Sequence, residues 1–132
     1  MSSTMFAIIG WTVTVLFAAL AVFQLLLALG LPLGRFAWGG FHERPPRAFR
    51  LASMLSVGVF VFGILAVLER AGLHDTLLDA RVAEITCWIL TAIFALSTLG
   101  NLNSRSPAEK RVMTPVAVVL TISCLLLALG AP

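Results

Sequence analysis

The charges in this 132-residue chain come in clusters, and the long stretches between clusters carry none. No side chain is charged from Met1 to Gly34. Arg35, Glu43, Arg44, Arg47 and Arg50 follow, then Glu69, Arg70, Asp75, Asp79, Arg81 and Glu84, and finally Arg105, Glu109, Lys110 and Arg111. Four spans result, over 5–31, 51–69, 84–102 and 113–131, each close to the ~20 residues a helix needs to cross a ~30 Å hydrocarbon core. Strands crossing a bilayer would instead show alternating segments of about ten residues. A soluble domain this small has too much surface to hide a composition that is 60% hydrophobic and 11% charged. The pattern predicts one all-α domain over 1–132, an integral membrane antiparallel four-helix bundle. It excludes a free cytosolic enzyme and a disordered tail.

Orientation follows from the basic residues. Arg35, Arg44, Arg47, Arg50, Arg105, Lys110 and Arg111 lie in the first and third loops, and only Arg70 and Arg81 in the middle one. The positive-inside rule places loops 32–50 and 103–112 in the cytoplasm and both termini outside. The first span has no basic leader and no small-residue cleavage site, so it reads as a retained helix rather than a signal peptide. The net charge of +3 follows from the loop asymmetry. It gives no reason to expect nucleic acid, which would need basic residues interleaved with aromatics on one surface.

Within the spans, small and weakly polar residues recur at steps of three and four. Span one carries Gly10, Thr14, Phe17, Ala21, Gln24 and Ala28 on one face, and span two Ser53, Ser56, Phe60, Gly63 and Val67. Span three carries Glu84, Cys87, Thr91, Phe94, Thr98 and Asn101, and span four Thr114, Ala117, Thr121, Cys124 and Ala128. In lipid, burying leucine against another helix gains little, so small residues that permit close approach set the contacts. The expectation is a bundle with leucine-rich outer faces, Leu90 among them, in which these stripes are packing seams. Cys87 and Cys124 come to similar depths on neighbouring stripes and read as two reduced, buried thiols.

Polar seam residues are weighted toward the basic end of the bundle. Gln24, Ser53, Ser56, Thr98, Asn101 and Thr114 all lie within about 10 Å of it at ~1.5 Å per residue. The amides Gln24 and Asn101 would be costly facing lipid and should point inward. Arg50, Arg105 and Trp38 would ring the opening above them. This cluster reads in two ways. It is either an interhelical hydrogen-bond network that fixes helix register, or a cytoplasm-facing pocket for an anionic headgroup or small polar molecule.

The loops have their own signals. Pro32 stops span one, Gly39–Gly40 permits a turn with positive φ, and Trp38 belongs at headgroup level. Gly39–Gly40 beside arginines is also the minimal pattern of an anion-binding nest, although a bare Gly-Gly is more simply a turn. In loop three, Ser106 fits the N-cap of a helix opened by Pro107, with Glu109 in its first turn.

Taken together, Arg35–Gly40, Phe49-Arg50-Leu51-Ala52-Ser53, and Leu99-Gly100-Asn101 followed by Ser104, Ser106, Glu109 and Met113-Thr114-Pro115 carry a resemblance. Over nearly its whole length the chain resembles a family of small bacterial four-span membrane proteins. In that family an aromatic-Ala-Trp-Gly-Gly follows span one, and a Gly-Asn…Ser…Glu…Thr-Pro stretch joins spans three and four. Phe36 departs from it, standing where tyrosine is expected. The resemblance implies fold, topology and a place in the bacterial plasma membrane, and it supplies no activity.

Several activities lack their residues. A small multidrug exporter would need an acid in the first span, where Gln24 stands, and the Asn and Gly-Thr-Thr-Phe-Ser signature of a fluoride channel is missing. Cys87 and Cys124 are too far apart for a Cys-x-x-Cys redox pair. His42 and His74 lie in loops on opposite sides and cannot share a haem, and no ligand set has metal spacing. The outer group His74, Asp75 and Asp79 is accounted for by a solvated loop. Glu69, Arg70, Arg81 and Glu84 are placed to pair across that loop, and Glu84 reads as a hydrated interfacial acid. Neither an enzyme nor a cofactor is expected.

Three readings of function then stand. The leading one is a small interaction protein that associates with itself or with a larger membrane complex. The second is a small transporter or channel, against which Phe17, Phe60 and Phe94 interrupt any continuous polar path at mid-membrane. The third is an inner-leaflet lipid- or amphiphile-binding protein built on Gln24, Trp38, Arg50, Ser53, Ser56, Thr98, Asn101, Arg105 and Thr114.

Overall fold

Without water to bond to, each backbone N–H and C=O inside a bilayer must find its partner within its own segment, so apolar stretches of this length become helices. The computed structural model, which describes residues 1–130, contains four long helices and no strand among them. They are α1 (Ser3–Ala28), α2 (Arg47–Arg70), α3 (Ala80–Leu102) and α4 (Pro107–Leu129). Each is long and apolar enough to cross a membrane, which makes this a multi-pass membrane protein. The last residue of the fourth expected span, Ala131, lies outside the described residues.

Local chemistry sets the ends of these helices. Ser2, Asp79 and Ser106 cap α1, α3 and α4, their side-chain oxygens accepting from Met5, from Arg81 and Val82, and from Glu109 N–H groups. Helices α2, α3 and α4 begin a turn or more before the uncharged stretches, because a charge in the first turn still reaches the interface. Two helices stop at glycine. Gly30 (φ +86) and Gly72 (φ +73) take the left-handed conformation. The next residues then bond back, Leu31 N–H to Leu26 and Leu73 N–H to Leu68. Span one therefore ends at Ala28 rather than at 31.

The helices form a closed, antiparallel ring. The most extensive contacts join α1 to α2 and α3 to α4, while α2 with α3 and α1 with α4 complete the circuit. Helix α2 ties its neighbours at both ends. Arg50 Nε donates to Ala28 O at the end of α1 (2.9 Å), and Arg70 donates to Leu127 O (2.7 Å) and Ala128 O (3.0 Å) at the end of α4. Loops one and three meet at one end, where the Ser106 hydroxyl donates to Arg35 O.

Three rings divide the interior at mid-depth. Phe17 lies 5.5 Å from both Phe60 and Phe94, which are 6.1 Å from each other. Gly63 leaves room for Phe17, since a Cβ there would meet its ring at 2.9 Å. On the side of the middle loop the core is apolar, with Val13, Val67, Cys87, Leu90, Cys124 and Leu127 fully or almost fully buried. Both cysteines are free. Leu90 corrects the expected outer face: it is 2% exposed, whereas Thr91 stands half-buried with its hydroxyl bonded to Cys87 O. The inward face runs through Ala83, Cys87, Leu90 and Phe94.

The expected pairing across the middle loop is replaced by local bonds. Arg81 and Glu84 form an ion pair at 3.5 Å within α3, and Glu69 accepts from Leu77 and Leu78 N–H groups. Asp79 is occupied as the α3 cap, and His74 Nδ1 faces the backbone N–H and hydroxyl of Thr76.

Candidate functional site

The other half of the bundle is hollow. A cavity of about 360 Å³ runs from loop one down to Phe60, Phe94 and Leu120. From Glu109 to Leu120 on α4 this is roughly 16 Å at the helical rise. Most of its wall is apolar: Leu20 and Phe23 of α1, Val59 of α2, Ile93 of α3, and Met113, Val116 and Ala117 of α4. Val59 and Ile93 are also exposed on the outside, so the seam between α2 and α3 carries the wall out to the lipid-facing surface.

Loop one forms the roof. It folds as two short 3-10 turns, Gly34–Phe36 and Trp38–Gly40, that bring Phe36, Ala37 and Trp38 over the cavity. Phe36 packs edge-on against Phe23 at 6.5 Å. Trp38 stacks on Phe49 at 5.0 Å, and it does so with φ +52. A bulky residue in that region costs on the order of 1–3 kcal/mol and persists only where its surroundings fix it. Here Gly39 (φ +74) and Gly40 (φ +73) continue the turn, and a Cβ on Gly40 would lie 2.4 Å from Ser106 Cβ. The roof is thus seated directly on the start of α4.

Polar groups gather under this roof. Gln24, Ser56, Ser97, Asn101 and Glu109 all line the cavity. Glu109 is 5% exposed, in the first turn of α4. A serine three residues before a glutamate normally makes two reciprocal bonds. Only one forms here: Glu109 N–H donates to Ser106 Oγ (3.3 Å), but Ser106 N–H donates instead to Ser104 Oγ (3.1 Å). The carboxylate is left free to face the cavity, and no donor or cation among the described residues reaches it. Gln24 Oε1 is likewise buried without a partner.

A second, shallower pocket of about 340 Å³ shares Trp38, Ser97, Asn101 and Glu109 with the first. Its remaining wall includes the exposed Phe41, Asn103 and Arg105. Glu109 therefore stands where an interfacial pocket meets the deep chamber.

The residues singled out from sequence fall into two groups. Gln24, Trp38, Ser56 and Asn101 line the cavity, and Arg105 lines the shallow pocket with its guanidinium 4.4 Å from the Phe41 ring centre. Arg50, Ser53, Thr98 and Thr114 line neither. Arg50 is turned to the end of α1, and the Thr98 hydroxyl donates to Phe94 O. Ser53 and Thr114 hydroxyls are buried without partners. At Gly39–Gly40, the Gly40 N–H closes a turn onto Ala37 O, while the Arg35 guanidinium lies over the Phe36 ring at 4.7 Å. Sequence reasoning passed over Glu109, Ser97, Phe23 and Phe36. The fold and the chamber define a four-span membrane protein with a half-depth cavity. No known protein family, curated protein or solved structure matches the chain.

Proposed function

We propose that this protein binds a small amphipathic molecule in the half of the bundle under loop one, with the polar head at Glu109, Gln24 and Asn101 and the apolar part toward Phe60 and Phe94. The observation that carries this reading is Glu109, 5% exposed in the wall of a 360 Å³ cavity, with no hydrogen-bond or ion-pair partner for its carboxylate among the described residues. That volume lies at the lower end of the roughly 300–1,000 Å³ of small-molecule sites. A buried polar group without a bond costs several kcal/mol in an apolar medium, about 2–7 kcal/mol, and a ligand's head restores what is missing. The positive-inside rule puts this end in the cytoplasm of the cell, at the inner leaflet.

Two other readings fare less well. Self-association or a place in a larger complex needs a distinct surface, whereas exposed large apolar side chains occur on all four helices, as lipid contact requires. Passage across the membrane needs a continuous polar path, and the three phenylalanine rings interrupt it.

Purification in mild detergent followed by mass spectrometry of extracted small molecules tests the proposal. Wild type is expected to retain one amphiphile per chain. Ser97→Phe narrows the chamber and should abolish retention with the helical content unchanged. Gln24→Leu removes one hydrogen bond and should weaken retention roughly ten-fold. Equal ligand content in wild type and both variants would overturn the reading.

A further inference from the structure

We infer that the head group taken by this cavity is a cationic amine, with Glu109 as its counter-ion. The inference rests on the binding reading above and specifies its chemistry. Glu109 sits in the first turn of α4, its backbone N–H capped by Ser106. The residue is 5% exposed and lines both cavities. A buried carboxylate needs a cation or a set of donors, and the protein supplies neither among the described residues.

The rest of the head site matches the same chemistry. Gln24 Oε1 is a second unpartnered acceptor on the wall. Phe36 and Trp38 add apolar wall at the roof, with the Arg35 guanidinium already over the Phe36 ring and Trp38 stacked on Phe49. An anionic head would meet the Glu109 charge, and a neutral head would leave that charge uncompensated. Arg105 is the one basic residue on either wall, but it belongs to the shallow pocket, where it rests on Phe41 with no ion pair to Glu109.

The test is binding of decylamine, decanol and decanoate to the full-length protein in a neutral sugar detergent, read by native mass spectrometry. These probes share a chain and differ in the head. Wild type is expected to bind decylamine roughly ten- to hundred-fold more tightly than either other probe, the size of a charge-assisted bond. Glu109→Gln, which keeps side-chain volume and the N–H bond to Ser106, should bring the three within about two-fold. Arg105→Gln should leave the preference for decylamine in place. A wild type that binds all three equally overturns the amine while leaving the binding reading intact. Binding of none overturns both. Preference that survives Glu109→Gln, or that appears only in Arg105→Gln, also overturns the inference. Repeating the decylamine titration in nanodiscs separates two sources of the amine. Competition in phosphatidylethanolamine but not phosphatidylglycerol assigns it to a bilayer lipid, and equal binding in both assigns it to a free amphiphile.

Discussion

The hydroxyls of Thr91, Thr98 and Thr121 each donate to the carbonyl one turn back, at 2.7–2.8 Å, which leaves them no proton to donate to a neighbouring helix. Thr98→Val should therefore change stability by no more than about 0.5 kcal/mol. Ser106 is a different case, since its oxygen accepts from Glu109 N–H while its proton goes to Arg35 O. Ser106→Ala should cost about 1–2 kcal/mol from the lost cap alone. Thermal unfolding in detergent compares the two, and a Thr98→Val loss as large as that of Ser106→Ala would contradict this account. The same neighbourhood shows what a sequence conceals. Ser106 and Glu109 have the spacing of a reciprocal cap, which gives Glu109 a structural duty. Whether that duty is performed depends on a competition for the Ser106 N–H, and the turn before α4 awards it to Ser104.

Helix α2 is the element that holds the ring together by charge. Two of its arginines, Arg50 and Arg70, reach last-turn carbonyls at the C-termini of two other helices, where the partial negative charge attracts a cation. Arg70 makes two such bonds in a half-buried setting, and Arg70→Met should cost about 1.5–3 kcal/mol. Arg50 makes one in an exposed setting, and Arg50→Gln should cost about 0.5–1.5 kcal/mol. Denaturation in mixed micelles should rank them in that order, and a larger loss for Arg50→Gln would reverse the argument. The start of the last helix was legible because Ser106-Pro107 dictates its backbone, whereas Pro32, expected to stop the first helix, is preceded by Gly30, which ends it at Ala28. Arginine at a helix end reads from sequence as an interfacial anchor. That it ties down a carbonyl on another helix depends on the ring order, which no local pattern encodes.

At the scale of the whole molecule, the spacing of charged clusters was enough to specify four antiparallel helices, because the cost of a charge in hydrocarbon leaves few other arrangements. The cavity was less legible, since its volume depends on how α2 and α3 sit against each other over Val59 and Ile93. The proposed orientation has a direct check. Ser3→Cys and Asp75→Cys should react with an impermeant thiol reagent on intact cells, and His42→Cys should react only after the membrane is opened. The native thiols of Cys87 and Cys124 are buried and stay silent in that assay. Labelling of His42→Cys in intact cells would invert the topology.

The stacked phenylalanines carry a consequence for what such a molecule can do with its occupant. A chamber floored at mid-depth communicates with one leaflet and one aqueous face only, so an occupant leaves to the compartment it came from. On the proposed reading, occupancy would follow the abundance of the ligand on a single side of the membrane, as a gauge does.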